Sequence, residues 1–138
     1  MIEFHFSFVI PVYNRPQEIK ELLESFKKIK GTFEIVIVED GSKETCKDIV
    51  DDFKDFLNIS YYYKENTGPG DSRNYGMKKA KGNYFIILDS DVILPEDYLE
   101  TVSKNLSQKY FDCYGAADKA LDSFTITQKA IDYAMTSL

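Results

Sequence analysis

The chain has 138 residues, of which 43% are hydrophobic and 29% are charged, and its formal net charge is −6. This length suits one domain with a buried core, and the composition excludes disordered, collagen-like and low-complexity classes. The acidic balance argues against nucleic acid as a partner, because the phosphate backbone would be repelled. We therefore predict a single domain over residues 1–138.

Apolar runs alternate with amphipathic segments along most of the chain. The apolar runs predict buried strands at residues 6–13, 33–40, 59–64 and 84–89. Apolar residues at helical spacing predict helices at about 16–30, 49–56, 72–79 and 96–106. Such alternation is typical of parallel strands with right-handed crossovers. The sequence thus predicts an α/β, Rossmann-like fold with a mostly parallel sheet flanked by helices.

The periodicity weakens after Lys109. Residues 110–115 are compatible with a short strand, and residues 124–135 have a helical pattern. The final residues carry no capping signal, so we expect the chain to be part of a longer protein.

Targeting and redox signals are sparse. No apolar run approaches the roughly 18 residues of a membrane span, and the N-terminus lacks the features of a secretory signal. The two cysteines, Cys46 and Cys113, make no disulfide framework and are predicted to be free thiols. We expect a cytoplasmic protein, in solution or at the cytoplasmic face of the membrane, without a transmembrane segment in this chain.

Polar residues follow three of the predicted strands. In open parallel sheets, ligands bind beyond the carboxyl ends of the strands, where the strand order reverses. Residues 11–14, 39–42 and 89–91 occupy such positions, and Arg73 lies on the helix after the third strand. We expect these groups to converge on one edge of the sheet.

Asp89 and Asp91 are candidate metal ligands. They directly follow an apolar strand, and two carboxylates in an acidic protein repel each other unless a cation lies between them. Oxygen ligands without nearby histidine or cysteine suit Mg²⁺ or Mn²⁺. The alternative is a turn or helix cap, a position that aspartate and serine also favour.

The residues alone leave two interpretations open for each of two other candidate ligand-binding groups. The Glu39–Asp40 pair is either a carboxylate site for a nucleotide base or ribose, or a turn in which Ser42 caps the next helix. Arg73 is either a ligand for phosphate or a solvated side chain. Phosphate-loop and dinucleotide fingerprints are missing, and the single histidine, His5, excludes a nucleophilic triad.

Several stretches together resemble the family 2 glycosyltransferases, which have the GT-A fold. These stretches are FVIPVYNRP, EIVIVEDGS and ENTGPGDSRNYGMKKAKGNYFIILDSD, followed by Pro95. They occur in the family's order and at similar intervals. The resemblance implies an enzyme that transfers a sugar from a nucleoside diphosphate sugar, a UDP-sugar by preference, to a glycan or lipid-linked acceptor in cell-wall or polysaccharide biosynthesis.

The resemblance also assigns residues to the nucleotide. Pro11, Val12 and Tyr13 match the family segment that lies against the nucleotide. Asp40 matches the acid that meets the base. Arg73 matches the arginine of the family's R-N-x-G stretch and is expected to approach the nucleotide.

The metal assignment follows from the same resemblance. Asp89 and Asp91 match the family's Asp-x-Asp element, in which Asp89 contacts the ribose and both hold Mg²⁺ or Mn²⁺ on the diphosphate. Many members carry another aspartate where this chain has Val92. No residue matches the family's catalytic base, so we expect the chain to be the donor-binding half of an inverting enzyme.

Two other classes remain as alternatives. One is a catalytically silent module that binds nucleotides. The other is a phosphoacceptor signalling domain, in which Glu39, Asp40 and Asp89 would surround Mg²⁺. The signalling class fits less well because its acidic pair follows the first strand rather than the second.

Overall fold

The computed structural model describes residues 2–115 and divides into two units, with the boundary between Ser107 and Gln108. The prediction of one domain stays a prediction. None of the helices in the described range 2–115 is long and apolar enough to cross a lipid bilayer. The helix predicted at 124–135 lies outside the described residues.

Strands and helices alternate in the order that the sequence predicted. The elements are β1 (Phe6–Val12), α1 (Pro16–Phe26), β2 (Phe33–Asp40), α2 (Lys47–Phe53), β3 (Ile59–Lys64), α3 (Pro69–Lys79), β4 (Tyr84–Ile87) and α4 (Tyr98–Gln108). The strands form one parallel sheet with the order β3-β2-β1-β4. The predicted α/β class with a parallel sheet is therefore confirmed.

The main core lies on one face of the sheet. Alternate residues of β1, among them Phe8 and Ile10, pack with the apolar stripe of α1 and with residues of α2 and α4. The Phe8 and Phe26 rings meet edge to face, with centroids 4.8 Å apart. This packing fixes β1 as a buried central strand, so its carboxyl end has a defined position.

Helix α3 covers the opposite face of the sheet. Gly76 lies against Val9 of β1 and Val38 of β2, and a Cβ on Gly76 would come within 2.4 Å of a Val9 methyl carbon. The helix begins at Pro69, three residues before the predicted start at Ser72, because proline suits the first turn of a helix.

Other predicted boundaries also differ from the structure, and helix α1 ends at Phe26 rather than at about residue 30. Helix α2 ends at Phe53, and Phe56 is exposed beyond it. Strand β4 ends at Ile87, two residues before the predicted boundary. Residues 110–115 are irregular, so the predicted strand there is wrong. Their aromatic side chains are exposed, and no backbone ladder to another strand forms within the described part of this segment.

The close packing at Gly76 gives a test of the α3–sheet contact. We expect Gly76→Ala to lower the free energy of unfolding by about 1–3 kcal/mol, because the added methyl overlaps Val9. Gly70→Ala is the matched control, since a Cβ there meets nothing within 4 Å. Urea denaturation of both variants measures the difference, and equal stabilities would contradict the packing described.

Candidate functional site

A cleft of about 500 Å³ opens at the carboxyl ends of the strands. It lies where the strand order reverses, since β2 and β4 flank β1 on opposite sides. All seven residues that the resemblance assigns to the nucleotide or the metal line it. The lining consists of Pro11, Val12, Tyr13, Arg15, Asp40, Asn66, Gly68, Pro69, Arg73, Asp89, Ser90 and Asp91.

Asn14 shapes the end of β1 beside this cleft. It has a positive φ of 52°, a left-handed conformation that asparagine tolerates better than most residues. Its backbone N–H donates to Ser42 Oγ at 2.8 Å, and its Oδ1 accepts from the N–H groups of Lys43 at 2.7 Å and Glu44 at 3.1 Å. These bonds tie the first strand to the turn after β2 and leave Tyr13 half exposed in the cleft wall.

Glu39 is buried beneath the turn after β2 rather than in the cleft. Its carboxylate accepts from the Ser42 hydroxyl, from Tyr61 Oη at 3.0 Å and from the Cys46 N–H at 2.9 Å. Burial, and then the Glu39 carboxylate, raise the pKa of the Cys46 thiol and of the Tyr61 phenol. Both side chains therefore stay protonated at neutral pH and serve as donors.

This arrangement corrects two expectations. Ser42 does not cap α2, since its hydroxyl bonds Glu39, and the residue before that helix is Cys46 without a side-chain cap. Glu39 and Asp40 also do not form an acidic pair in the cleft. The phosphoacceptor alternative required that pair and loses its basis.

Asp40 is the buried carboxylate that does line the cleft, and its side chain is only 5% exposed. Its Oδ1 accepts from Lys64 Nζ at 2.6 Å and from the Thr67 N–H at 2.9 Å, while Oδ2 accepts from the Gly68 N–H at 3.0 Å. Burial alone would raise the pKa of Asp40, but the Lys64 ammonium and the two backbone donors outweigh it and lower that pKa. Because a carboxylate oxygen has two lone pairs, Oδ2 can accept one more donor.

The loop between β3 and α3 is held over Asp40 by residues that the sequence reasoning missed. Asn66 Nδ2 donates to the Asp40 carbonyl at 2.9 Å. Gly41 permits this approach, since its φ is +72° and a Cβ there would lie 2.6 Å from the Asn66 nitrogen. Lys64 was also missed, although a lysine that ends an apolar strand next to a parallel strand ending in aspartate is a usable signal.

Arg73 and Asp89 meet on the other side of the cleft. Arg73 Nη2 donates to Asp89 Oδ1 at 2.8 Å, and the side chains are 38% and 65% exposed. Arg73 Nε is buried and has no hydrogen-bond partner. An unsatisfied buried donor costs about 1–3 kcal/mol, so an acceptor oxygen brought by a ligand would be favourable here.

Two aspartates, Asp89 and Asp91, follow β4 and line the cleft. Ser90, between them, is buried and donates to Glu18 Oε2 of α1 at 3.0 Å, which fixes the backbone of the turn. Within residues 2–115, no group of three or more histidine, cysteine or acidic side chains could hold a metal. Asp89 and Asp91 nevertheless fit Mg²⁺ or Mn²⁺, which binds through one or two carboxylates and completes its shell with phosphate oxygens and water.

The Asp40 network predicts a specific pH dependence of stability. A carboxyl group whose pKa is lowered by folding contributes stability above its unfolded pKa of about 3.9, and this stability is lost as the pH falls through the folded pKa. Asp40→Asn should therefore cost about 2 kcal/mol at pH 7 and progressively less below pH 4.

Asp71→Asn is the matched control for this variant. Asp71 accepts from Thr67 Oγ1 at 2.5 Å and lies 3.4 Å from Lys64, and both contacts lower its pKa, but its side chain is 60% exposed, so its removal should cost clearly less free energy of unfolding than that of Asp40. Chemical denaturation from pH 3 to pH 7 measures both. A loss for Asp40→Asn that is constant over this range would contradict the role of its ionised carboxylate.

Known proteins share this chain's sequence pattern. A family model described as Glycosyl transferase family 2 matches residues 7–134. An uncharacterized glycosyltransferase of Rickettsia bellii is 35% identical over 106 residues, which are 76% of this chain and 15% of that protein. The poly(ribitol-phosphate) beta-N-acetylglucosaminyltransferase TarS of Staphylococcus aureus is 32% identical over 112 residues, which are 78% of this chain and 20% of TarS.

Solved structures share the fold. TarS 1–349 in complex with UDP-GlcNAc superposes with a TM-score of 0.73 at 26% identity, covering 86% of this chain and 38% of that one. A mannosyltransferase of Pyrobaculum calidifontis in complex with GDP-Man and Mn²⁺ superposes with a TM-score of 0.70 at 22% identity, covering 78% of this chain and 33% of that one. These likenesses confirm the GT-A fold.

The chain therefore matches a fifth or less of the length of the Rickettsia bellii and TarS sequences, and it superposes on less than half of the TarS 1–349 structure. The family model nevertheless extends over almost all of the chain. Together with the predicted motifs lining a single cleft, this match shows that the chain belongs to glycosyl transferase family 2.

Proposed function

We propose that the cleft binds the donor of a sugar transfer, a UDP-sugar, from which the sugar passes to an acceptor hydroxyl. The observation that carries the proposal is the cleft itself, which places a carboxylate with one spare lone pair at one side and an arginine with two aspartates at the other. The complexes of the related TarS with UDP and UDP-GlcNAc support this donor class.

The side of the cleft formed by β1 and β2 suits the nucleoside. Asp40 Oδ2 can accept the N3–H of uracil, because its other contact is a single backbone N–H from Gly68. Lys64 and Thr67 occupy Oδ1, so the carboxylate is already oriented before a base arrives. Tyr13, half exposed in the wall with Pro11 and Val12, offers an apolar surface to the nucleotide.

The side formed by β4 and α3 suits the diphosphate. Asp89 and Asp91 would hold Mg²⁺ or Mn²⁺, whose charge stabilises the leaving diphosphate. Asp89 also remains our candidate for the ribose. In a protein of net charge −6, an anionic donor needs such local positive charge, and Arg73 supplies more of it.

The remainder of the reaction belongs to our proposal as well. We expect direct displacement with inversion at the anomeric carbon, and a general base that deprotonates the acceptor hydroxyl. We place that base and the glycan or lipid-linked acceptor outside the donor cleft. A place in cell-wall or polysaccharide synthesis fits an acceptor of this kind.

Metal dependence of UDP binding tests the diphosphate side. Isothermal titration with UDP should give at least tenfold tighter binding with Mn²⁺ than with EDTA, because the cation offsets repulsion between the diphosphate and the two aspartates. Asp91→Asn should remove most of this difference. Asp52→Asn, which removes an exposed carboxylate of α2 outside the cleft, should keep it. Identical wild-type titrations with Mn²⁺ and EDTA would refute the metal site.

The nucleoside side has its own test. A hydrogen bond to a charged acceptor is worth about 1.5–3 kcal/mol, so Asp40→Asn should weaken UDP binding about 10- to 100-fold and leave the affinity for Mn²⁺ alone nearly unchanged. N3-methyl-UDP, which lacks the donor, should bind the wild-type protein as weakly as UDP binds the variant.

Each outcome of these binding tests has a distinct meaning. Equal wild-type affinities for UDP and N3-methyl-UDP would remove the base assignment of Asp40. A full-length family member with this donor cleft that binds UDP-sugars without transferring sugar to any acceptor would favour the silent nucleotide-binding alternative.

A further inference from the structure

We propose that Arg73 competes with the divalent cation for the Asp89 carboxylate and thereby couples metal binding to nucleotide binding. The inference rests on the proposed function, in which Asp89 holds the metal. It adds a role for Arg73. Asp89 pairs with Arg73 in the absence of the metal and with the metal once the metal is bound.

The geometry of the Arg73–Asp89 pair suits an exchangeable contact. One guanidinium nitrogen meets one carboxylate oxygen at 2.8 Å, rather than two nitrogens meeting two oxygens as in the strong forked arrangement. Asp89 is 65% exposed, so water and ions reach the carboxylate. A single, solvent-accessible contact of this kind is weak and gives way readily to a stronger cation.

Charge repulsion makes Arg73 and a divalent cation compete for Asp89. Arginine stays protonated at every physiological pH, so it cannot avoid the repulsion by losing a proton. A divalent cation on the Asp89 carboxylate would lie within a few ångströms of the guanidinium. Even at the dielectric constant of water, the repulsion between the two charges lowers the affinity of Asp89 for the cation severalfold. The guanidinium must therefore turn away for the metal to bind at full strength.

Arg73 has a reason to turn toward a bound nucleotide. Its Nε–H is buried in the wall of the cleft without a partner, so the contact with Asp89 leaves one donor unsatisfied. The anionic oxygens of a nucleoside diphosphate are strong acceptors for a guanidinium. Once the metal takes Asp89, these oxygens can accept from the donors that Arg73 releases.

The backbone that carries Arg73 is fixed, so the exchange requires only side-chain rotation. Gly76, one turn further along α3, packs directly against Val9 of the central strand. The start of α3 is held by Asp40, which accepts from the Gly68 N–H. The four side-chain torsions of arginine are sufficient for the guanidinium to move between two anionic partners.

Arg73→Gln separates this role from simple phosphate binding. Titration of the variant with Mn²⁺ alone should show about three- to tenfold tighter binding than in the wild type, because the competing charge is removed. Titration with UDP in saturating Mn²⁺ should show at least tenfold weaker binding, because the phosphate partner is lost. The two affinities thus change in opposite directions.

Two control variants accompany the experiment. Lys104→Gln removes one positive charge from the exposed face of α4, outside the cleft, and should leave both affinities within about twofold because distant surface charges are screened. Asp89→Asn combined with Arg73→Gln should abolish the gain in Mn²⁺ affinity. Thermal unfolding of each variant verifies that the fold is retained.

The outcomes distinguish this inference from the proposed function. If Mn²⁺ binds Arg73→Gln no more tightly than the wild type, while wild-type UDP binding still depends on metal, Arg73 is no competitor and only this inference fails. If wild-type UDP binding is independent of metal, the proposed function fails first. A gain in Mn²⁺ affinity with unchanged UDP binding would also overturn the coupling.

Discussion

The buried carboxylate of Asp40 is the contact on which the geometry of the cleft depends. Asp40 is the last residue of β2. Its carboxylate accepts hydrogen bonds from the Lys64 ammonium on the neighbouring strand and from two backbone N–H groups in the loop that leads into α3. A carboxylate this buried is stable only because its charge is matched and its oxygens are hydrogen-bonded. The same bonds fix where α3 begins, so they decide where Arg73 lies.

Glu39 and Asp40 have different surroundings because they lie on opposite faces of the sheet. Glu39 and Asp40 are neighbours in the chain, and successive side chains of a strand point to opposite faces. Glu39 falls on the face of α2, where Ser42, Cys46 and Tyr61 donate to it and it stabilises the turn. Asp40 falls on the face of α3 and lines the cleft, so only one of the two acids is exposed to a ligand there.

The position of β4 brings the second half of the site to the first. After β3 the chain returns across β2 and β1 and adds β4 on the other side of β1. Asp89 and Asp91 therefore line the same cleft as Tyr13 instead of lying beyond β3. Helix α3 makes this crossover on the face of the sheet opposite the main core. Gly76 lets the helix pack closely against that face, and Arg73 on the same helix reaches Asp89. Charged side chains that are distant in sequence thereby line a single cleft.

The sequence by itself determined the class of fold and the edge of the sheet at which the cleft opens. Short apolar runs predict buried strands wherever they occur in the chain. The bounds of β2 and β3 match the prediction because turn residues and charged residues directly follow these two runs. Tertiary structure alone decided that Asn66 joins the site and that Ser42 bonds Glu39 instead of capping α2. These features depend on distances between strands and loops that are remote in the chain, and local propensity carries no information about such distances.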